Sequence, residues 1–196
     1  VKLCLASTSP RRAQLLATAG IKFFTCDPCI HEVSGGELSP AALAATNARL
    51  KAHAVAKLHA DAVVLGADTV VSLEGEIFGK PCDLTAAHEM LFRLGGKWHE
   101  VFTAVCICPP MELDSSSKAP VEFVESTRVL LRGFSCAERG EYFAKINPLD
   151  KAGAYAAQDT SSNLVEAMDG SFSNVVGLPL EALCKVLKES FPRFFS

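Results

Sequence analysis

The chain predicts an α/β fold with a mixed sheet, on three observations. Apolar, β-branched runs alternate with segments of helical periodicity along most of its length. The run Ala62-Val63-Val64-Leu65 has the composition of a covered strand. Two longer alternating segments, Trp98 to Cys108 and Val121 to Leu131, follow one another and should pair antiparallel.

Each element has its own local reason. Lys2 to Ala6 is strand-like and ends in Ser7-Thr8-Ser9-Pro10. Ser9 as N-cap and Pro10 at the first helical position open a helix through Arg11, Arg12, Leu15 and Leu16 that stops at Gly20. A short strand is expected from Ile21 to Cys26. Ser39 and Pro40 open an Ala-rich helix reaching about His59, with Leu43, Asn47, Leu50, Ala54 and Leu58 on one side. The polar Asn47 stands out in that stripe. After the Asp68 strand, Leu73-Glu74-Gly75-Glu76 reads as a tight turn, and Asp83 caps a helix over 84–94 that ends at Gly95-Gly96. Pro109-Pro110 and Ser115-Ser116-Ser117 mark a polar excursion between the paired strands. Ser135 with Glu138 is a capping box for a helix to about Ile146. Pro148 to Gln158 is rich in Gly and Ala and too poor in large apolar groups to be core. Leu178, Leu183, Val186 and Leu187 mark a closing helix entered through Pro179. With no internal repeat and no linker, one domain over 1–196 is expected. The order of strands in the sheet does not follow from these signals.

Composition narrows the function classes. The 196 residues are 49% hydrophobic and 21% charged, an ordinary globular balance. The net charge of -3, from 19 basic and 22 acidic side chains, argues against a general binder of polymeric nucleic acid. It leaves room for a small site of locally positive potential. No apolar stretch approaches the roughly 18 residues of a membrane span. The opening VKLCLA leaves no room for a signal peptide, and the absent initiating Met points to trimming. Of eight cysteines, Cys4, Cys106 and Cys184 lie in apolar segments and read as small core residues. Cys26 and Cys29 form a lone CxxC near His31, without the second pair that a zinc site of that type uses. Reduced structural thiols in a cytosolic protein are the expectation.

The clearest functional signal is Asp68, in the segment AVVLGADTVV. A carboxylate just beyond a covered apolar run costs several kcal/mol unless a cation or a hydrogen-bond donor meets it. Arg11, Arg12, Lys51, Lys80 and Lys151 are the candidate cations, with a bound metal as a further partner. Ser7-Thr8-Ser9-Pro10-Arg11-Arg12 places a strand end, hydroxyls, two guanidinium groups and the first turn of a helix together, a cradle for anions. Gly79-Lys80-Pro81 allows close backbone approach beside a compact counter-charge. Asp150-Lys151-Ala152-Gly153-Ala154-Tyr155 is a small-residue loop, followed by Gln158, whose amide suits a base edge. Gly170 to Pro179 forms a fourth turn before a helix. Each has an ordinary reading as turn or cap chemistry, but four of them around one anomalous carboxylate indicate a polyanion site.

The blocks LASTSPRRAQLL, LKA at 50–52, GADTVV, GKP, DKAGAY with Gln158, and SNVVGLPL together resemble the Maf-type nucleoside triphosphate pyrophosphatases, from Leu5 to Leu180. The resemblance implies a mixed, strongly twisted central sheet flanked by helices, with two lobes around a nucleotide cleft. That fold is shared with the inosine triphosphate pyrophosphatases. It implies hydrolysis of a nucleoside triphosphate to the monophosphate and pyrophosphate with a divalent metal, Mg²⁺ or Mn²⁺, in a cytoplasmic homodimer. Asp68 matches the family's proposed catalytic base. Ser7, Arg11, Arg12, Lys51, Lys80 and Lys151 match phosphate-handling and cleft positions, and Glu32 lies near the metal-site region beside Asp68. Arg11, Thr69 and Gln158 match the branch that prefers dTTP and UTP; CTP and modified pyrimidine nucleotides are further candidates. Two departures bear on the base pocket: Ala156 and Ala157 replace a glycine and an isoleucine, and Asp159 replaces a glycine. The competing class is a nucleotide-binding regulatory protein that keeps the pocket with little turnover.

Overall fold

The computed structural model describes residues 2–111, 119–159 and 163–192. The serine run at 115–117 lies outside them. The expected mixed sheet is present, with strand order β2-β1-β3-β5-β6-β7 and β4 paired to β3. The strands are β1 (Lys2–Ala6), β2 (Phe23–Cys26), β3 (Ala62–Leu73), β4 (Glu76–Phe78), β5 (Trp98–Cys108), β6 (Val121–Leu131) and β7 (Val165–Asp169). The first three run parallel, joined by crossovers through α1 (Pro10–Thr18) and α2 (Pro40–Ala56). From β3 onward every pairing is antiparallel, and β5 pairs β6 from Trp98↔Leu130 to Ile107↔Val121.

Helices cover the sheet on both faces, which is why β3 is apolar on both sides. Leu16 of α1 and Leu183 and Leu187 of α6 (Leu180–Ser190) pack with Leu3, Leu5, Val63, Leu65 and Ile107. On the opposite face α2 packs against Cys4, Ala6, Val64, Val70, Ala104 and Cys106. A third cluster at the far end joins α3 (Leu84–Leu94) and Tyr142 of α4 (Cys136–Phe143) to Val71, Val101, Val129 and Leu131.

Several local expectations are corrected. Helix α2 ends at Ala56, and its buried stripe is Leu43, Ala44, Asn47, Ala48, Lys51, Ala52 and Val55. Leu50 and Leu58 are exposed, because small residues rather than leucines let the helix settle onto the sheet. Helix α4 ends at Phe143, short of Ile146. The strands β4 and β7 and the short helix α5 (Phe172–Val176) have too few residues to carry a periodic signal. The β3–β4 turn places Glu74 and Gly75 at φ 54 and 86, the two left-handed positions of a tight hairpin. The loop 148–158 does enter the core: Gly153, Ala154, Tyr155 and Ala156 are buried. Its buried hydrogen bonds explain how so few large groups suffice. The Tyr155 hydroxyl meets His99 Nε2 at 2.9 Å, and the Ala156 N–H donates to the Tyr142 hydroxyl at 2.8 Å. Burial pushes His99 down to about 4, so the imidazole is neutral near pH 7.

Helix α2 lies close against β3 at Gly66. A Cβ there would lie 2.4 Å from the Ala48 carbonyl oxygen and 2.6 Å from the Ala52 nitrogen, both backbone atoms of α2. Neither can move without the whole helix moving. Gly66→Ala is therefore expected to destabilise the protein by about 1–3 kcal/mol through overpacking. Thermal denaturation measures it, and a melting temperature equal to wild type would contradict the close approach.

Candidate active site

Strand β1 pairs β3 only as far as Ala6↔Gly66, and β4 takes up that edge only at Val71↔Phe78. Between these pairings, residues 67–70 of β3 have no strand on that side among the described residues. A cleft of about 930 Å³ opens at this gap, within the usual size range of small-molecule sites. It is the place where an α/β sheet leaves room for a ligand, beyond the ends of its parallel strands.

Asp68 forms the floor and is buried, facing α2. Its Oδ1 accepts from Lys51 Nζ at 2.6 Å, and its Oδ2 accepts from Asn47 Nδ2 at 3.3 Å. Asn47 and Lys51 are one helical turn apart, so both point from α2 at the same spot. The charge is thus met by one cation and one amide, both themselves buried. Asn47 also clamps the backbone of Val33: its Oδ1 accepts from the Val33 N–H at 2.8 Å and its Nδ2 donates to the Val33 oxygen at 3.0 Å. This holds the segment carrying Glu32, whose Oε1 meets Lys51 Nζ at 2.9 Å. Burial raises Glu32, but Lys51, with Lys80 and Arg12 farther off, holds its carboxyl below the usual value.

The cations line the opposite walls. Ser9 caps α1 as expected, and the Ser9 N–H donates to Ser7 Oγ, which is buried at the cleft. Arg12 Nε donates to the Gly177 oxygen at 2.8 Å and Nη2 to Thr69 Oγ1 at 3.0 Å. Thr69 is linked to Thr103, which donates to the Asn174 oxygen. The Thr69 hydroxyl is therefore already committed to holding Arg12. Burial pulls Arg12 below its ordinary value, while Asp68 pulls it back up. Arg11 Nη1 lies 3.3 Å from Asp150 Oδ2, and Lys151 pairs with the same carboxylate. Lys80 lines the cleft without an ion pair or hydrogen bond among the described residues. Gln158 is exposed at the rim, its amide likewise unengaged among them.

All ten residues singled out in the sequence border this one cleft: Ser7, Arg11, Arg12, Glu32, Lys51, Asp68, Thr69, Lys80 with Lys151, and Gln158 at its mouth. Sequence reasoning missed Asn47 as a site residue and Asp150 as the partner of Arg11 and Lys151. The spacing of Asn47 to Lys51 was the available signal for the first. Nothing local marked Asp150 as the partner of Arg11, which is 139 positions away.

Comparison with known proteins identifies the family. The model of the Maf-like protein family matches residues 2–190. The chain belongs to that family. Relatives include a dTTP/UTP pyrophosphatase of Pelotomaculum thermopropionicum, 40% identical over 96% of each chain. Another, from Bacillus mycoides, is 41% identical over 96% of this chain and 95% of its own. Among solved structures, a Ham1 protein of Staphylococcus aureus has a TM-score of 0.54 at 15% identity, covering 96% of this chain and 99% of that one. A HAM1 protein of Coxiella burnetii has a TM-score of 0.50 at 14% identity, covering 97% and 100%. These two share the fold.

Membership in the Maf-like family implies a divalent metal. Glu32 and Asp68 suit one: both are carboxylates, both reach the same ammonium group, and both line the cleft. Oxygen donors of this kind fit a hard cation, with waters and substrate phosphates completing the sphere. No helix among the described residues is long and apolar enough to cross a membrane.

The Asn47 clamp is testable through its polarity. Asn47→Asp keeps the acceptor for the Val33 N–H but turns an acceptor toward Asp68 and the Val33 carbonyl. It should cost about 1–3 kcal/mol more in kcat/KM than Asn47→Ala, which removes the contacts without adding repulsion. Equal kcat/KM in the two variants would contradict the clamp.

Proposed function

We propose that the protein hydrolyses dTTP and UTP to the monophosphate and pyrophosphate. The observation that carries this reading is Asp68, a buried carboxylate held by Lys51 and Asn47 at the open edge of β3, inside a cleft walled by cations. The names of the relatives at 40% and 41% identity supply the substrate class. A purely regulatory nucleotide binder would have no need for a carboxylate facing the phosphates, where it repels them.

In this mechanism Lys80, Arg11 and Lys151 bind the triphosphate, and Arg12, fixed by Gly177 and Thr69, offers its remaining donors. Ser7 and the first turn of α1 add hydroxyl and N–H groups. Asp68 accepts a proton from a water aimed at the α-phosphorus, and the bond to the pyrophosphate leaving group breaks as charge moves onto it. The cations stabilise that charge where it develops, which is where such contacts lower the barrier. Glu32 and Asp68 would hold Mg²⁺ or Mn²⁺, which when bound neutralises phosphate charge and acidifies water. Gln158 at the rim reads the base. A small nucleotide is the partner, and a homodimer of this single domain over 1–196, in the cytoplasm, completes the proposal.

Pyrophosphate release over UTP, dTTP, CTP and 7-methyl-GTP tests the reaction. Asp68→Asn should retain nucleotide binding and lose about 10²–10⁴-fold in kcat, the usual worth of a proton-transfer group. Turnover near wild type in this variant would sink the assignment.

Gln158→Glu tests the substrate class. Uracil and thymine present a carbonyl beside an N–H, which an amide matches with one donor and one acceptor, whereas a carboxylate only accepts. A loss of roughly 5- to 150-fold in kcat/KM for UTP and dTTP is expected, the equivalent of about 1–3 kcal/mol. Unchanged discrimination between UTP and GTP would remove Gln158 from base recognition.

A further inference from the structure

A second group of ligand-type side chains lies on the α2 face of the sheet, away from the cleft. Cys106 and Cys108 are two residues apart on β5, so both point toward α2. They pair with Gly66 and Val64 of β3, whereas Asp68 pairs with Ala104, so the two thiols extend along the sheet away from the active site. His53 reaches them from α2, and its ring nitrogen and the two Sγ atoms lie within 4.8 Å of one another. Cys106 and Cys108 are buried, while His53 is exposed and leaves a path from solvent. Glu122, opposite Cys106 on β6, accepts from the Cys106 thiol at 3.6 Å and is gripped by Arg49 at 2.7 and 2.6 Å.

From this we infer that His53, Cys106 and Cys108 form a zinc site that fastens α2 to the sheet, with water in the fourth position. Two thiolates and an imidazole are a soft donor set, suited to zinc and unsuited to the hard cation of Glu32 and Asp68. Ligand atoms in a tetrahedral zinc site stand roughly 3.5–4 Å apart, as Zn–S bonds of about 2.3 Å require. The observed spacing needs only a small side-chain adjustment to meet this. Binding releases the two thiol protons to solvent. The charges then balance, since two thiolates neutralise Zn²⁺ and Arg49 neutralises Glu122. The carboxylate of Glu122 stays with Arg49, as a supporting acceptor beside the site.

The test uses reduced, chelator-stripped protein. It is titrated with ZnCl₂ against a chromophoric chelator, and separately with CoCl₂, reading the thiolate-to-cobalt charge-transfer band. The expected result is one zinc per chain, a cobalt–thiolate band, and a rise in melting temperature on adding zinc. His53→Ala, a change at an exposed position, should weaken zinc by more than the roughly 10–100-fold that loss of a supporting contact costs, while leaving UTP hydrolysis at the wild-type rate. Cys108→Ser should abolish the cobalt–thiolate band, and Glu32→Gln should leave zinc affinity unchanged. Absence of the band in the wild type would overturn the proposal. So would equal zinc affinity in wild type and His53→Ala, or loss of zinc binding in Glu32→Gln, which would place the ion in the cleft.

Discussion

The candidate active site depends on how closely α2 lies against β3. Gly66 lacks the Cβ that would collide with the backbone of Ala48 and Ala52. The alanines at 44, 48 and 52 keep the helix surface low along the whole contact. With the helix seated at this depth, Asn47 and Lys51 reach over the strand to Asp68. A larger gap would leave a buried carboxylate without its partners, a situation that costs several kcal/mol. Close packing thus provides the electrostatics: backbone proximity comes first, and the ion pair follows from it.

The cleft itself arises from strand lengths. β1 stops at Ala6 while β3 continues, so one stretch of β3 loses its neighbour on that side before β4 arrives. Asp68 and Thr69 fall in that stretch, and by the alternation of a strand they face opposite sides of the sheet. One therefore meets α2, and the other meets α1 and the turn at Gly177. The site draws on both faces of the sheet through two adjacent residues. Gly177, at φ 124, brings its carbonyl to Arg12 in a conformation that a side chain would strain.

Most of the cations already have partners before a polyanion arrives. Arg11 and Lys151 share Asp150, and Lys51 joins Glu32 to Asp68. The Asp150 contacts are partly exposed, and such pairs contribute about 0–1 kcal/mol each, so exchanging them for phosphate costs little. Lys51 differs, since Asp68 is buried and the Asn47 clamp holds both the Asp68 carboxylate and the segment that carries Glu32. The lysine that organises acidic groups is thus distinct from the cations proposed to bind phosphate. Lys80, exposed beside Gly79 at the cleft, is the most available of them.

Much of this was legible in the chain. Asp68 announced itself because a charge after an apolar strand breaks a local pattern, and the Ser9-Pro10 start of α1 follows from cap chemistry alone. The antiparallel pairing of 98–108 with 121–131 followed from two adjacent alternating runs. Less was readable where the relevant contact is distant. Leu50 and Leu58 were expected inward on α2 by hydropathy, yet the buried face is built of alanines, because depth of packing is a property of two surfaces. The loop 148–158 looked too small for the core, but His99 and Tyr142 anchor it from other elements. By itself the sequence determined the fold class, the caps and the residue types of a polyanion site, since these rest on interactions within a few positions of the chain. The tertiary structure alone decided strand order, the seating of α2 on Gly66, the choice of Lys51 as partner of Asp68, and the meeting of His53 with Cys106 and Cys108. Each of these joins residues whose proximity is set by packing, and packing is not written in any one segment.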